Sequence, residues 1–209
     1  MRCRQRDRGA STGALGGAAA HALARANTAS LGIVGSGVQA WTQLWAISAV
    51  RRLARVRVFS PTRENREAFA RRAEAELGLS ATACDSAAEA VADTDLVVLA
   101  TRSERPVIEA GWIRPGTHVN TVGPKLASAH ETPPELAERA VAVVSDSPEQ
   151  AAGYGEPFFT PRALTHLGGV LTGDSPGRTS DEDITLYCST GLAGSEVILA
   201  ETLLATVEP

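Results

Sequence analysis

Residues 31–40 read LGIVGSGVQA, and Gly35, Gly37 and Ala40 stand there in a G-x-G-x-x-[GA] pattern. In such a turn the first glycine permits a tight bend and the second lets backbone approach a pyrophosphate. The third small residue allows the helix to pack closely on the strand. Ser36, Val38 and Gln39 complete the turn, and the helix N-terminus behind it is a natural seat for a phosphate. The chemistry suggested is dinucleotide binding. A pattern this short recurs by chance in a chain with 19 glycines, so its weight depends on the elements around it.

Those elements agree. LGIV has the length of a buried parallel strand, and QAWTQLWAISAVRRL has helical spacing. Residues 54–60 (ARVRVFS) read as a second strand and 63–77 as an amphipathic helix. A short third strand, TACDS, precedes the helical AAEAVAD, and LVVLAT, HVNTVG and AVAVVSD are apolar runs expected of strands buried on both faces. Alternating strands and helices predict an α/β fold: a doubly wound parallel Rossmann sheet with right-handed crossovers and helices on both faces. Its ligand is expected at the carboxyl ends of the strands, where strand order reverses. At the N-terminus an Ala-rich helix is expected over about residues 12–25, covering one sheet face. The basic start followed by small residues lacks the Leu/Val/Ile core of a signal peptide.

Composition narrows the function. The chain has 209 residues, 44% hydrophobic and 21% charged, with a formal net charge of −4. That is enough for one full α/β domain and further elements. No basic stripe points to nucleic acid, and no run approaches the roughly 20 apolar residues that span a bilayer. Cys3, Cys84 and Cys188 are scattered without C-x-x-C spacing, so neither a metal site nor a disulfide framework is indicated. A cytoplasmic, reduced protein is expected.

The segment GSGVQAWTQLWAISAVRRLARVRVFSPTRENREAFA resembles the ornithine cyclodeaminase / mu-crystallin family. The likeness continues through LATRSERPV, WIRPGTHVNTVG and PGRTSDEDITLYCSTG, over roughly residues 10–200. The resemblance implies an NAD(P)-dependent oxidoreductase or ornithine cyclodeaminase-like enzyme. Its reaction would be hydride transfer at the C–N centre of an amino acid or cyclic imine, as in ketimine and pyrroline-2-carboxylate reductases. The alternative is a nucleotide-binding module with little turnover. A homodimer is implied for the full-length family form.

Ser60, Thr62 and Arg63 follow the second strand, where an NAD enzyme usually carries Asp or Glu for the ribose hydroxyls. Hydroxyls with a guanidinium suit a 2′-phosphate, so NADP(H) is preferred over NAD(H). A helix cap beside a solvated arginine is compatible with the same residues. Thr101 and Ser103 end the fourth strand in the family's T-x-S pattern and would line the ribose–nicotinamide side, or form an ordinary strand exit. Asn120 and Gly123 close the next strand near the expected nicotinamide, with Asn120 taken as a catalytic candidate. His118 reads as a strand or core histidine, and His130 and Glu131 as solvent-facing loop residues. Residues 179–183 read as a capped, solvated turn rather than a metal site. The resemblance adds that Thr179, Ser180 and Asp181 approach the cofactor or close the site from the tail.

Two departures from the family matter. Ser11 stands where a carboxylate-binding arginine is implied, and Pro124-Lys125 stand where cyclodeaminases carry an aspartate that handles the substrate amine. Lys125 is therefore the second catalytic candidate, as proton donor or carboxylate binder; an exposed loop lysine is the plain reading. Residues 1–150 are expected to form the NAD(P)-binding domain, with 1–10 disordered or belonging to a misplaced start. Residues 151–209 are expected to supply a strand and a closing helix to a largely missing substrate and dimerisation domain.

Overall fold

The computed structural model describes residues 3–153 and 164–192, with 194, 195, 197 and 201 beyond them. Its strands are β1 (Ser30–Val34), β2 (Arg55–Phe59), β3 (Ala81–Ala83), β4 (Leu96–Leu99), β5 (His118–Thr121), β6 (Lys125–Leu126), β7 (Ala129–His130), β8 (Ala142–Ser145), β9 (Thr165–His166) and β10 (Thr185–Cys188). All but β6 and β7 form one sheet in the order β3-β2-β1-β4-β5-β10-β8-β9, with every pairing parallel. The chain runs outward from β1 to β3 and then returns to β4 on the other side of β1. That reversal opens a crevice at the carboxyl ends of β1 and β4. Strands β6 and β7 form a separate antiparallel hairpin beyond β5.

Helices cover both faces, which is why β1, β4, β5, β8 and β10 are buried along their whole length. On one face Leu31 and Ile33 of β1 meet Leu44 and Ile47 of α2 (Val38–Val50), with Phe69 and Ala73 of α3 (Arg63–Leu77). On the other, Val97, Leu99, Val119 and Leu186 meet Val91 of α4 (Ala87–Val91) and Leu136 of α5 (Pro134–Arg139). Further short helices are α6 (Pro148–Gly153), α7 (Leu167–Thr172) and a single 3-10 turn at Ala110–Trp112.

The N-terminal helix α1 runs from Cys3 to Leu23 and so takes in residues 3–10 ahead of the Ala-rich stretch. It packs on α2, β5 and β10. Small residues make this approach possible: a Cβ on Gly16 would overlap the Gln43 side-chain amide, and one on Gly13 would lie 2.7 Å from the Thr42 carbonyl oxygen.

The strand expected to serve a separate C-terminal unit belongs to the main sheet. β10 is inserted between β5 and β8, with Thr185 level with both His118 and Ala142. Its four residues are buried on both faces, so the sheet core runs through the boundary expected at 150. Most of the closing helix expected over 192–207 lies outside the described residues. Among the described residues no helix is long and apolar enough to cross a membrane.

Candidate functional site

At the carboxyl end of β1 the backbone turns through Gly35, whose φ is +120°, a value that L side chains rarely adopt. A Cβ there would also overlap the Ala100 carbonyl oxygen at the end of β4. The Gly35 amide donates 2.8 Å to the Phe59 carbonyl of β2, which fixes the bend. Gly37 differs in kind. Its φ is −82°, it serves as the N-cap of α2 without any side-chain cap, and nothing lies within 4 Å of where its Cβ would be. Space is reserved there over an open helix N-terminus, where free N–H groups and the helix dipole favour an anion. Ala40 is fully buried in the core against β1.

This space is part of a cavity of about 320 Å³ lined by Gly37, Val38, Gln39, Ala100, Thr101, Arg102, Val122 and Gly123. The turn after β1 and the ends of β4 and β5 thus converge on one crevice. Arg102, an exposed cation on its wall, was not singled out in the sequence because nothing local marks it. Ser36 stands beside the cavity and donates 3.0 Å to the Ser60 hydroxyl.

Ser60 itself is buried, and its hydroxyl turns inward toward Ser36 and the Thr62 carbonyl. Of the three predicted residues, Thr62 and Arg63 are presented on the surface at the end of β2, beside the exposed Glu64 and Asn65. Thr62 is the N-cap residue of α3, but its hydroxyl makes no cap bond. Arg63 is three-quarters exposed and gives its Nε to Glu67, one turn along, at 2.7 Å. Behind them the buried Arg66 holds the Ser60 carbonyl at 3.1 Å and Asp85 at 2.5 Å.

Thr101 lines the cavity, whereas the Ser103 hydroxyl is spent on its own loop, donating 2.6 Å to the Arg105 carbonyl. Glu131 is the largest surprise. It is fully buried, not solvent-facing, and its carboxylate accepts from five donors on two segments of chain, Thr101 and residues 121–123. The sequence held no signal for this, because the donors are brought together only by strand pairing.

Lys125 begins the β6 hairpin, and its ammonium donates 2.6 Å to the Gly123 carbonyl. Burial of the ammonium pulls its pKa below the ordinary lysine value, partly opposed by Cys188, Glu131 and Asp146. At the same edge, Asp146 accepts from the Thr190 amide and hydroxyl and from the Gly191 amide at 2.7–3.0 Å. The exit of β10 is thereby tied to the exit of β8.

Two candidates lie elsewhere. Asn120 is fully buried under α1, donating 3.0 Å to both the Gly16 carbonyl and the Gln43 Oε1. Alternation along β5 aims it at the helix layer, and it does not line the cavity. Ser180, with Thr179 and Asp181, sits at the amino end of the sheet. There the Gly116 amide donates to the Glu182 carbonyl, just before β5 begins. Asp183 accepts from the Thr179 amide and hydroxyl and the Ser180 amide, so the run forms a capped turn. Because β10 runs parallel to its neighbours, the residues before it are at the wrong end. Those after it, Ser189 to Gly191, reach the carboxyl edge.

A family model described as the ornithine cyclodeaminase/mu-crystallin family matches residues 9–207. The chain belongs to this family. An alanine dehydrogenase of Archaeoglobus fulgidus is 34% identical over 200 residues, covering 92% of this chain and 61% of that protein. The structure of Thermococcus litoralis Delta(1)-pyrroline-2-carboxylate reductase in complex with NADH and L-proline superposes with a TM-score of 0.81 at 33% identity. It covers 91% of this chain and 62% of that one. An archaeal alanine dehydrogenase dimer with bound NAD gives 0.82 at 31%, covering 95% and 65%. The chain thus spans a little over three-fifths of these family members.

Proposed function

We propose that this chain binds a nicotinamide dinucleotide in the cavity at the α2 N-terminus and serves hydride transfer at the C–N centre of an amino acid or cyclic imine. The observation that carries this reading is the pairing of Gly35 and Gly37: one is fixed by strain and close approach, and the other leaves the cavity open. Two family relatives support it, one bound to NADH and L-proline and one to NAD.

In this reading Gly37, Val38 and Gln39 offer backbone N–H groups to the pyrophosphate. Thr101, Val122 and Gly123 form the wall on the nicotinamide side. When bound, the nicotinamide supplies or accepts the hydride. Lys125 holds a proton at the carboxyl edge, and the lowering of its pKa by burial makes it a better acid toward an imine nitrogen. Thr62 and Arg63 favour a 2′-phosphate, giving NADP(H) preference over NAD(H). With the archaeal dehydrogenase as guide, the functional assembly is a homodimer.

The experiment is NADPH and NADH oxidation with pyrroline-2-carboxylate and related cyclic imines, together with proline formation from ornithine. Imine-dependent oxidation supports the oxidoreductase reading. Cofactor binding without turnover of any of these substrates would favour the nucleotide-binding module instead.

A further inference from the structure

We propose that Glu131 is the positioning residue of the nicotinamide-side wall: its buried carboxylate ties the exits of β4 and β5 into one rigid surface. This rests on the dinucleotide reading above. Oε2 accepts from the Thr101 amide at 2.8 Å and the Thr101 hydroxyl at 2.7 Å. Oε1 accepts from the Thr121 hydroxyl at 2.8 Å, the Val122 amide at 3.0 Å and the Gly123 amide at 2.5 Å. Every group facing the two oxygens is a donor, the pattern an acceptor-only carboxylate satisfies.

Three of the four residues so held, Thr101, Val122 and Gly123, line the cavity. The β4–β5 pairing ends with the Val122 amide, which also donates 2.9 Å to the Leu99 carbonyl, and beyond it the Gly123 amide finds its acceptor in Glu131. The fit is close. A Cβ on Gly123 would lie 2.5 Å from the Glu131 carboxyl carbon and 2.6 Å from the Thr101 carbonyl oxygen. The segment carrying Glu131 is itself fixed, since its carbonyl accepts from the Val107 amide at 2.9 Å. Lys125 hangs from the Gly123 carbonyl, so the same carboxylate sets where the ammonium lies.

In a dinucleotide-binding sheet β1 to β3 serve one mononucleotide half, and the strands across the switch point serve the other. A wall built from the exits of β4 and β5 therefore acts on the nicotinamide half alone. In Glu131→Gln one acceptor becomes an NH₂ group facing donors, and the wall loosens.

The test compares ligands by calorimetric titration of the full chain. Glu131→Gln should weaken NADPH or NADH binding on the order of tenfold or more. Binding of the adenosine half alone, as 2′,5′-ADP or AMP, should stay unchanged. Equal weakening of dinucleotide and half-ligand would assign the carboxylate a general structural role and overturn the proposal, as would no change in either. If the unaltered chain binds none of these nucleotides, the dinucleotide reading itself fails, and this inference with it. Should the variant not fold, hydrogen exchange in the unaltered chain decides. The Gly123 amide should be protected, and exchange at the rate of exposed loop amides would overturn the assignment.

Discussion

The imidazole Nε2 of His118 lies 2.8 Å from the Oδ1 of Asn120, two residues along the same strand, with both side chains fully buried. Asn120 gives its amide hydrogens to Gly16 and Gln43, so its Oδ1 accepts and Nε2 carries the ring hydrogen. His118 Nδ1 lies 2.9 Å from the Thr185 hydroxyl, whose single hydrogen also reaches the Leu23 carbonyl at 3.1 Å. This is a neutral histidine inside a satisfied network that binds α1 to the sheet.

Burial pulls the His118 imidazole down to about 3. The unfolded chain takes up this proton near pH 6.5, and the native state does so only around the lower value. Between the two the unfolded state holds the extra proton, so stability is complete above about pH 6.5 and falls as pH is lowered. The slope from this group reaches about 1.4 kcal/mol per pH unit. Denaturant titrations from pH 7 to 4 should show it, and His118→Gln should flatten the profile. An unaltered profile in the variant would contradict the buried, neutral assignment.

Asn120→Leu should act on stability and spare ligand binding. It leaves the Gly16 carbonyl and the Gln43 Oε1 buried without their donor, a loss of about 1–3 kcal/mol. Thermal melts should register the loss, while titration with NADPH should give the affinity of the unaltered chain. Weakened binding at full stability would return Asn120 to the cofactor site.

For Lys125 the expected signature is a pH profile. If its ammonium protonates the reacting nitrogen, imine reduction should decline with rising pH from a point below the ordinary lysine value of about 10.4. Lys125→Met should lower turnover by roughly 10²–10⁴-fold, the usual worth of a positioned acid, with little change in cofactor affinity. Retained turnover in that variant would make Lys125 a loop residue of the hairpin and nothing more.

Arg63→Ala should narrow the gap between NADPH and NADH. Removing the guanidinium should weaken NADPH binding by roughly tenfold and leave NADH near its own affinity. Equal affinity of the unaltered chain for both cofactors would remove the basis for the preference, which rests on Thr62 and Arg63.

What the sequence revealed follows from the range of the interactions involved. The strands are uninterrupted apolar runs and the helices keep their period, so β1, β2, β4, β5 and β8 were legible along with the glycine turn. These patterns depend on neighbours within a few residues. The insertion of β10 between β5 and β8 depends on which strand exposes a free edge, and no local pattern records that. The same holds for side-chain direction. Asn120 and Gly123 are three residues apart, yet one is sealed under α1 and the other lines the cavity. Glu131 in HETPPEL has the surroundings of a surface loop residue, and its five donors come from strand exits that only the folded sheet assembles.

The most direct measurement is a calorimetric titration of NADPH and NADH into the chain and into Gly37→Val, with melting curves beside it. Because nothing lies within 4 Å of the position a Cβ would take at Gly37, the variant should fold and melt as the unaltered chain does. Its isopropyl group would fill the space in front of the α2 N-terminus, so dinucleotide binding should be lost. Undiminished affinity in a folded Gly37→Val chain would contradict the placement of the cofactor in this cavity.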